Sequence, residues 1–361
     1  MTTRNELWQP KPPKTHSGEG VWQAIDERLG LSELTYPVPR HANTLAYSLG
    51  GISVIGFLVL IVSGILLAQY YAPVPQFANE SVRAIMQGGL FERIVRGVHY
   101  WVAQVVVLAV LLHMLRVFFT ASFKRPREAN WVVGIGLLAT TIGLFFTGTV
   151  LKWDQEGFEA LEHNVAIGEL LGGLGHWFAH AFAENVPILI RLYIAHISIL
   201  PGLLLVLLAA HFWLVKRHGI SARGARPATG YLLFSSHLKH LGKYGLILIG
   251  IVLALAVLLP PVVGPAPVEG IEVTKPPWMF LPLFAFENWI GVAGLLWVSV
   301  VSFLLLALVP FIDRSPELLP ARRRAMIAAA IVVLLALAGL GLLAYLTPAA
   351  EHVGGLWHGL G

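Results

Sequence analysis

The sequence contains no cysteine, which excludes disulfides, cysteine-ligated iron–sulfur clusters and thioether-linked haem. Charge is scarce as well: only 12% of the 361 residues are charged, whereas 56% are hydrophobic. A soluble domain of this length usually carries about twice that charged fraction. The mean hydropathy of +0.71 therefore indicates long segments that face lipid.

Several apolar stretches come close to the roughly 20 residues that a helix needs to cross a bilayer. We name them spans A to G, and they occupy approximately residues 45–70, 99–119, 131–151, 191–214, 244–262, 289–310 and 325–347. The pattern predicts an all-α integral membrane protein with about seven transmembrane helices. A polytopic scaffold or transporter without a redox cofactor fits the same pattern.

Lys and Arg are distributed unevenly between the connections. The B–C and D–E connections are rich in both, and the F–G connection is rich in Arg. The A–B connection has Arg83, Arg93 and Arg96, but C–D and E–F contain only Lys152 and Lys275. The positive-inside rule therefore predicts a multi-pass protein of the inner (cytoplasmic) membrane, with the basic connections and the N-terminal segment 1–44 in the cytoplasm. We interpret the pI of about 9.5 as this topology and expect no nucleic-acid partner.

Four histidines lie inside two of the spans, where ionisable residues are rare and usually functional. His99 and His113 are 14 residues apart in span B, and His196 and His211 are 15 apart in span D. Each pair lies roughly on one helix face, with a rise of about 21–22 Å. Spans B and D run in the same direction. His99 is therefore expected beside His196 near the outer face, and His113 beside His211 near the inner face.

Two imidazoles from facing helices, without a nearby cysteine or methionine, are typical of bis-histidine haem iron. Zinc usually takes four protein ligands in a closed site, and each level offers only two. The pattern predicts two non-covalent b-type haems. A purified protein without haem would favour the transporter or scaffold interpretation instead.

Glycines in spans A and C repeat with the histidine spacing of 14 residues. They are Gly50 and Gly64 in span A, and Gly134 and Gly148 in span C. Glycine leaves room for a flat ring against the helix backbone, so we expect these four to pack against haem. Helix–helix contact through small residues is the alternative.

Two arginines stand next to histidines of span B. Arg96 precedes His99 by about one turn, and Arg116 follows His113 by three residues. Both are predicted to pair with haem propionates through charge-assisted hydrogen bonds. Arginines that only extend to the membrane interface are the alternative.

Several sequence segments resemble cytochrome b of the quinol:cytochrome c oxidoreductase family. The segments are FKRPREANWVVG (123–134), WDQEGF (153–158), RLYIAHISILP (191–201), HFWLVKRHGIS (211–221) and KPPWMFLPLF (275–284). The resemblance is closest to the plastid and cyanobacterial type, in which a four-span cytochrome and a three-span subunit IV are separate. It implies a fused chain, with a haem-binding four-helix bundle in 45–230 and a subunit-IV-like part of three helices in 231–361.

The resemblance also implies residue roles. His99 and His196 would hold the outer, low-potential haem, and His113 and His211 the inner, high-potential haem. The four glycines match haem-packing positions, and Arg96, Arg116 and Arg191 match propionate or haem-edge positions. The implied partners are quinone, a Rieske iron–sulfur protein and a c-type cytochrome, or another redox subunit, in a homodimeric complex.

The sequence departs from the family pattern at two places. Ser48 stands where the plastid form attaches a c-type haem through a cysteine, so we expect no covalent haem. The outer quinone loop of the family reads Pro-Glu-Trp-Tyr or Pro-Asp-Trp-Tyr, whereas this chain has Pro276, Pro277, Trp278 and Met279. The loop acid and the tyrosine are both absent.

Quinol oxidation releases two protons and needs acceptors close to the quinol. The C–D connection offers Glu156, Glu159, Glu162 and His163 near the quinol. The last three would share one face of a helix and are candidates to replace the loop acid. Solvated or helix-capping roles are the alternative for them.

Two functional interpretations stay open. The chain is either the cytochrome b of a Rieske-containing complex, or an electron conduit that serves another redox partner through a single quinone site. That site would lie at the inner face near Lys216, Arg217 and His218, where His218 could exchange a proton.

Overall fold

The structure is a computed structural model that describes residues 20–21, 25–26, 28, 36–178, 182–183, 185–221, 230–349 and 352. Most of the predicted N-terminal segment 1–44, and residues 222–229 next to the predicted boundary at 230, lie outside the described residues.

The described part of the chain contains seven helices that are long and apolar enough to cross a membrane. They are α1 (Leu45–Leu67), α3 (Leu90–Phe119), α4 (Glu128–Val150), α6 (Ile188–His218), α7 (Phe234–Leu258), α9 (Val292–Ile312) and α10 (Arg324–Leu346). The shorter helices are α2 (Pro75–Gln87), α5 (Gln155–Leu170) and α8 (Leu281–Ile290). The predicted all-α, multi-pass architecture is thereby confirmed.

Helices α1, α3, α4 and α6 form the four-helix bundle, in which α1 packs on α3 and α4 packs on α6. The middle of the bundle is filled by apolar side chains from all four helices and from α7. Its buried members include Phe57, Val102, Leu137, Leu204 and Val252. Helix α7 lies against α3, and α8 packs on α9 and α10, so that the three last long helices follow the bundle as predicted.

Helix α6 widens locally around one of the span histidines. A π-helical turn covers Ala195–Ile199 and contains His196. Pro201 follows, and proline lacks the N–H that would close the regular helical bond to residue 197. Single π turns of this kind occur often at functional sites, because they re-aim one side chain without ending the helix.

The two long outer connections hold each other in place. Asp154 caps the N-terminus of α5 by accepting from the amide of Gly157, and it also accepts from the amide of Gly264, both at 3.0 Å. Gln155 accepts from the amide of Val268 at 2.7 Å. The connection between α7 and α8 is therefore bound to the start of α5 along much of its length.

A short strand pair precedes the first and the fifth spanning helices. Strand β1 (Val38–Pro39) pairs antiparallel with β2 (Tyr231–Leu232), with Val38 opposite Leu232. This ladder brings the residues before α1 next to those before α7.

Candidate cofactor sites between the paired histidines

The structure brings the four span histidines together in the two predicted pairs. The ring centroids of His99 and His196 lie 6.3 Å apart, with 64° between the ring planes. Those of His113 and His211 lie 6.4 Å apart, with 73° between the planes. Each pair joins α3 to α6 across the bundle. The two pairs lie one above the other along the helix axes.

These separations match two imidazoles that share one metal ion. A ligating nitrogen lies about 1.2 Å from its ring centre, so two metal–nitrogen bonds of about 2.0–2.1 Å place the centroids about 6.5 Å apart. The observed 6.3 and 6.4 Å agree with this distance.

Two hydroxyl groups set the tautomer of the outer pair. Ser63 Oγ lies 2.9 Å from His99 Nδ1 and donates its own hydrogen to the carbonyl of Val59 at 2.7 Å. Thr147 Oγ1 lies 2.8 Å from His196 Nδ1 and donates to the carbonyl of Gly143, also at 2.8 Å. Each hydroxyl therefore accepts the Nδ1 hydrogen of its histidine, and Nε2 is left with a lone pair for a metal.

Sequence reasoning missed these two hydroxyls, although a local signal exists. Ser63 and Thr147 directly precede Gly64 and Gly148, the two outer glycines of the repeated spacing. A small polar residue next to a glycine in a membrane span can approach a neighbouring helix closely enough to hydrogen-bond there. The inner glycines, Gly50 and Gly134, are preceded by apolar residues, so neither position offers a hydroxyl group to an inner histidine.

Each of the four predicted glycines lies against one histidine ring. A Cβ atom at these positions would meet the ring at 3.0–3.7 Å, so a larger side chain would displace it. The pairs are Gly50 with His113, Gly64 with His99, Gly134 with His211, and Gly148 with His196. The glycines therefore keep the space beside every imidazole open.

A cavity of 330 Å³ opens on the outer histidine pair. His99 and His196 line it, and so do Pro277 and Trp278 of the predicted quinone loop. The indole of Trp278 donates to Gln104 on α3 at 2.8 Å, which holds the loop at the mouth of the cavity. Neither Pro276 nor Met279 is among the lining residues.

The predicted propionate arginines occupy different positions at the outer side. Arg96 is buried, lines the cavity and donates to the carbonyl of Pro261 at 3.0 Å. Arg191 does not line the cavity and donates to the carbonyl of Trp177 at 2.6 Å. Arg96 is thus the better placed of the two to meet an acidic group bound between His99 and His196.

At the inner pair, Arg116 stacks on the ring of Tyr47, with its guanidinium carbon 4.5 Å from the ring centroid. Its Nη2 lies 3.4 Å from His113 Nδ1, which is too long to set the tautomer of that ring. The guanidinium therefore lies beside the inner site, and Tyr47 limits its movement.

The three predicted proton acceptors lie on α5, and none of them lines the outer cavity. The carboxylate of Glu159 accepts from Gln155 Nε2 and from the amides of Val273 and Thr274 at 2.9–3.0 Å, and it thereby binds α5 to the loop before α8. The hydroxyl of Thr274 also donates to it. Their role in taking quinol protons stays a prediction.

A different carboxylate of α5 reaches the cavity. Glu156 lines the outer cavity and also a second cleft of 700 Å³ that opens beside it, and Lys152 lines both as well. The ammonium of Lys152 lies 2.6 Å from Glu156 Oε2 and 3.4 Å from Asp154 Oδ2. The ion pair therefore lies where the outer cavity and this second cleft meet.

The predicted inner quinone residues lie in the last turn of α6. The guanidinium carbon of Arg217 is 5.5 Å from the ring centroid of Trp213. The carbonyl of His218 accepts from Arg127 at 3.2 Å, which ties this turn to the start of α4. Lys216 belongs to the same turn. These contacts place basic side chains at the inner end of the bundle.

Fold and site together define a helical membrane protein that holds two imidazole pairs between its first four spanning helices. A family model described as "Cytochrome b(N-terminal)/b6/petB" matches residues 104–282. Cytochrome b6 of Heliobacterium modesticaldum is 36% identical over 198 residues, which cover 54% of this chain and 93% of that protein. The menaquinol:cytochrome c reductase cytochrome b subunit of Geobacillus thermodenitrificans is 36% identical over 217 residues, covering 56% of this chain and 97% of that protein.

The chain belongs to the cytochrome b/b6 family, as the sequence resemblance indicated. A solved structure, "Hyperthermophilic respiratory Complex III", shares its fold with a TM-score of 0.77 and 23% identity. That similarity covers 91% of this chain and 92% of the other, so the shared fold continues beyond the part that the curated relatives cover.

Proposed function

We propose that the chain is the di-haem cytochrome b subunit of a membrane quinol:cytochrome c oxidoreductase complex. The observation that carries the proposal is the geometry of the two imidazole pairs, at 6.3 and 6.4 Å, one above the other in the bundle. Relatives that are named cytochrome b6 and menaquinol:cytochrome c reductase cytochrome b subunit support it.

The donor set fits bis-histidine b-type haem at both levels. His99 and His196 would hold the outer haem, with His113 and His211 at the inner one. When bound, the two haems supply a route for single electrons across the membrane. The protein contributes the ligand tautomer through Ser63 and Thr147.

This assignment is tested by the haem content and the redox titration of the purified protein. We expect two b-type haems per chain with distinct potentials. His196→Ala and His211→Ala should each remove one haem and leave the other. His240 of α7 lies outside the histidine pairs and provides a matched control, His240→Ala, with both haems retained. A wild-type chain with one haem or none would refute the di-haem proposal.

Quinol would bind in the outer cavity, between the outer histidine pair and Trp278. We propose Glu156 as the proton acceptor there, in place of the acid that the loop lacks at Pro277. Glu156 lines both the outer cavity and the second cleft beside it. A proton taken at Glu156 Oε1 or Oε2 could therefore leave towards the outer surface, while Lys152 stabilises the ionised carboxylate.

Glu156→Gln tests this role, with Glu80→Gln on the exposed side of α2 as a matched control. A positioned general base typically contributes about 10²–10⁴-fold to a rate, so we expect quinol oxidation to fall about 100-fold or more. Haem content and both potentials should stay unchanged in both variants. The rate of the control should match that of the wild type.

Unchanged quinol oxidation in Glu156→Gln would contradict the role of Glu156. Wild-type protein with two haems but no outer quinol oxidation would favour the second candidate function, an electron conduit with a single quinone site. The observation in its favour is the loop Pro276–Met279, which lacks the family acid. That site would lie near Lys216, Arg217 and His218.

The assembly around the chain is proposed on the same basis. A Rieske iron–sulfur protein and a c-type cytochrome, or another redox subunit, would carry electrons away from a homodimeric complex. Residues 45–230 would be the haem-binding part and 231–361 the fused subunit-IV-like part. Ser48, which is buried and donates to the carbonyl of Ala42, offers no thiol for a covalent c-type haem. The N-terminal segment would be cytoplasmic in the inner membrane.

A further inference from the structure

Three segments that are far apart in the chain bring histidine and glutamate side chains together at the outer face. His163 comes from α5, Glu272 from the loop between α7 and α8, and His352 from the segment after α10. One ligand atom of each lies within 4.8 Å of the other two. Glu287 of α8 joins the group, with Oε1 2.9 Å from His163 Nε2.

We propose that this cluster is a binding site for a divalent transition-metal ion of the zinc class. The residues are two histidines and one or two carboxylates, which are ligands that zinc takes in proteins. The site is separate from the paired histidines of the bundle. It would join the segment after α10 to α5 and to the loop that leads to Trp278.

Two distances within the cluster are those of atoms around a single tetrahedral ion. Bonds of about 2.0–2.1 Å in a tetrahedron place ligand atoms about 3.3–3.4 Å apart. Glu272 Oε1 lies 3.3 Å from His163 Nε2 and 3.2 Å from His352 Nδ1. The carboxylate oxygen therefore stands at the spacing that a shared ion requires from both imidazole nitrogens.

Hydrogen bonds outside the cluster orient its ligand atoms. His163 Nδ1 donates to the carbonyl of Glu159 at 2.7 Å, so the lone pair of a neutral ring is on Nε2, which faces Glu272 and Glu287. The second oxygen of Glu272 accepts from the amide of His352 at 2.6 Å. Ligands of bound metals are typically held in this way by a carbonyl or an amide.

The charge of the cluster requires either a bound cation or a proton. Glu272 is 3% exposed and Glu287 is 2% exposed, and both face His163. A buried carboxylate is costly unless a positive charge lies beside it. A proton on His163 is the competitor: burial lowers the pKa of His163, but its contacts with Glu272 and Glu287 outweigh burial and raise that pKa to about 10. A zinc ion would displace this proton.

The test uses the full chain with its haems, purified in detergent, stripped with a chelator and titrated with ZnCl₂. We expect one tightly bound zinc per chain, in addition to the haem iron, by elemental analysis and by titration in competition with a chelator. His352→Ala and the isosteric Glu272→Gln should each weaken zinc binding by more than about 100-fold, because outer-shell partners alone change metal affinity about 10–100-fold.

His240→Ala is the control, since His240 lies on α7 and its Nδ1 contacts the carbonyl of Ser236. This variant should bind zinc as the wild type does, and all variants should keep their full haem content and visible spectrum. Weaker zinc binding in both site variants supports the site. Failure of the wild type to retain zinc, or wild-type affinity in either site variant, would overturn the proposal.

Discussion

Ser63 and Thr147 test the outer haem assignment at the level of single hydrogen bonds. Each hydroxyl accepts from Nδ1 of an outer histidine, at 2.9 Å in the case of His99 and 2.8 Å in the case of His196. An imidazole that donates through Nδ1 is a stronger electron donor to its metal, which favours the oxidised iron. The substitutions Ser63→Ala and Thr147→Val should therefore raise the midpoint potential of the outer haem.

The magnitude follows from the strength of one such bond. A hydrogen bond contributes about 0.5–1.5 kcal/mol net, and 1.4 kcal/mol corresponds to about 59 mV for one electron. If most of that free energy favours the oxidised state, each substitution raises the potential by about 20–60 mV. The double variant should show roughly the sum, since the two hydroxyls lie on different helices and contact different rings.

Redox titration of the visible spectrum measures both haems in one experiment. The inner haem should keep its potential in every variant. Ser53→Ala is the matched control, because Ser53 lies on the same helix as Ser63 and its hydroxyl donates to the carbonyl of Leu49. A change of the inner haem instead of the outer one, or an unchanged spectrum and potential in the double variant, would refute the proposed ligand tautomer.

Two further substitutions and one pH dependence follow from the packing. Gly148→Val puts a branched side chain at a position where a Cβ alone would lie 3.1 Å from His196 Cε1. Haem analysis should therefore find one haem per chain instead of two. Two haems per chain would show that the His196 ring can move aside. The carboxylate of Asp313 lies 2.7 Å from Lys124 Nζ and 2.7 Å from Arg323 Nε, and both cations are buried. Asp313→Asn removes this charge and should lower the free energy of unfolding by about 3–5 kcal/mol. A thermal or denaturant assay measures the change, and an unchanged midpoint contradicts the prediction. Burial raises the pKa of Asp313, but hydrogen bonds from Lys124 and Arg323 outweigh it and lower that pKa overall. The ionised Asp313 therefore makes its full contribution to the free energy of unfolding above the unfolded pKa of about 3.9, and this contribution is lost as the pH falls through the folded pKa. The stability difference between wild type and Asp313→Asn should accordingly shrink in acid.

The structure also corrects the extent of several predicted spans. Span B was expected from residue 99, but α3 begins at Leu90 and includes Arg93 and Arg96. Hydropathy detects only the lipid-facing part of a helix, whereas the backbone hydrogen bonds continue into the interfacial region. Span E likewise begins at Phe234, ten residues before the predicted 244.

The helical pattern of α5 was not sufficient to predict which of its carboxylates lines the outer cavity. Glu159, Glu162 and His163 do share α5, but periodicity could not say what that helix faces. The structure turns Glu159 towards Val273 and Thr274, and it places Glu156, three residues earlier, on the cavity. The neighbour of a helix face is set by distant segments of the chain.

The sequence by itself determined the membrane class, the number of spans, the pairing of the four histidines and the glycines beside them. These features depend on hydropathy and on the fixed rise and turn of a helix, which are local properties. Only the tertiary structure decided which hydroxyls accept from the outer histidines, which carboxylate lines the cavity, and that His163, Glu272 and His352 meet. Those contacts join residues up to 189 positions apart (352 − 163), and no local pattern encodes a distance across the fold.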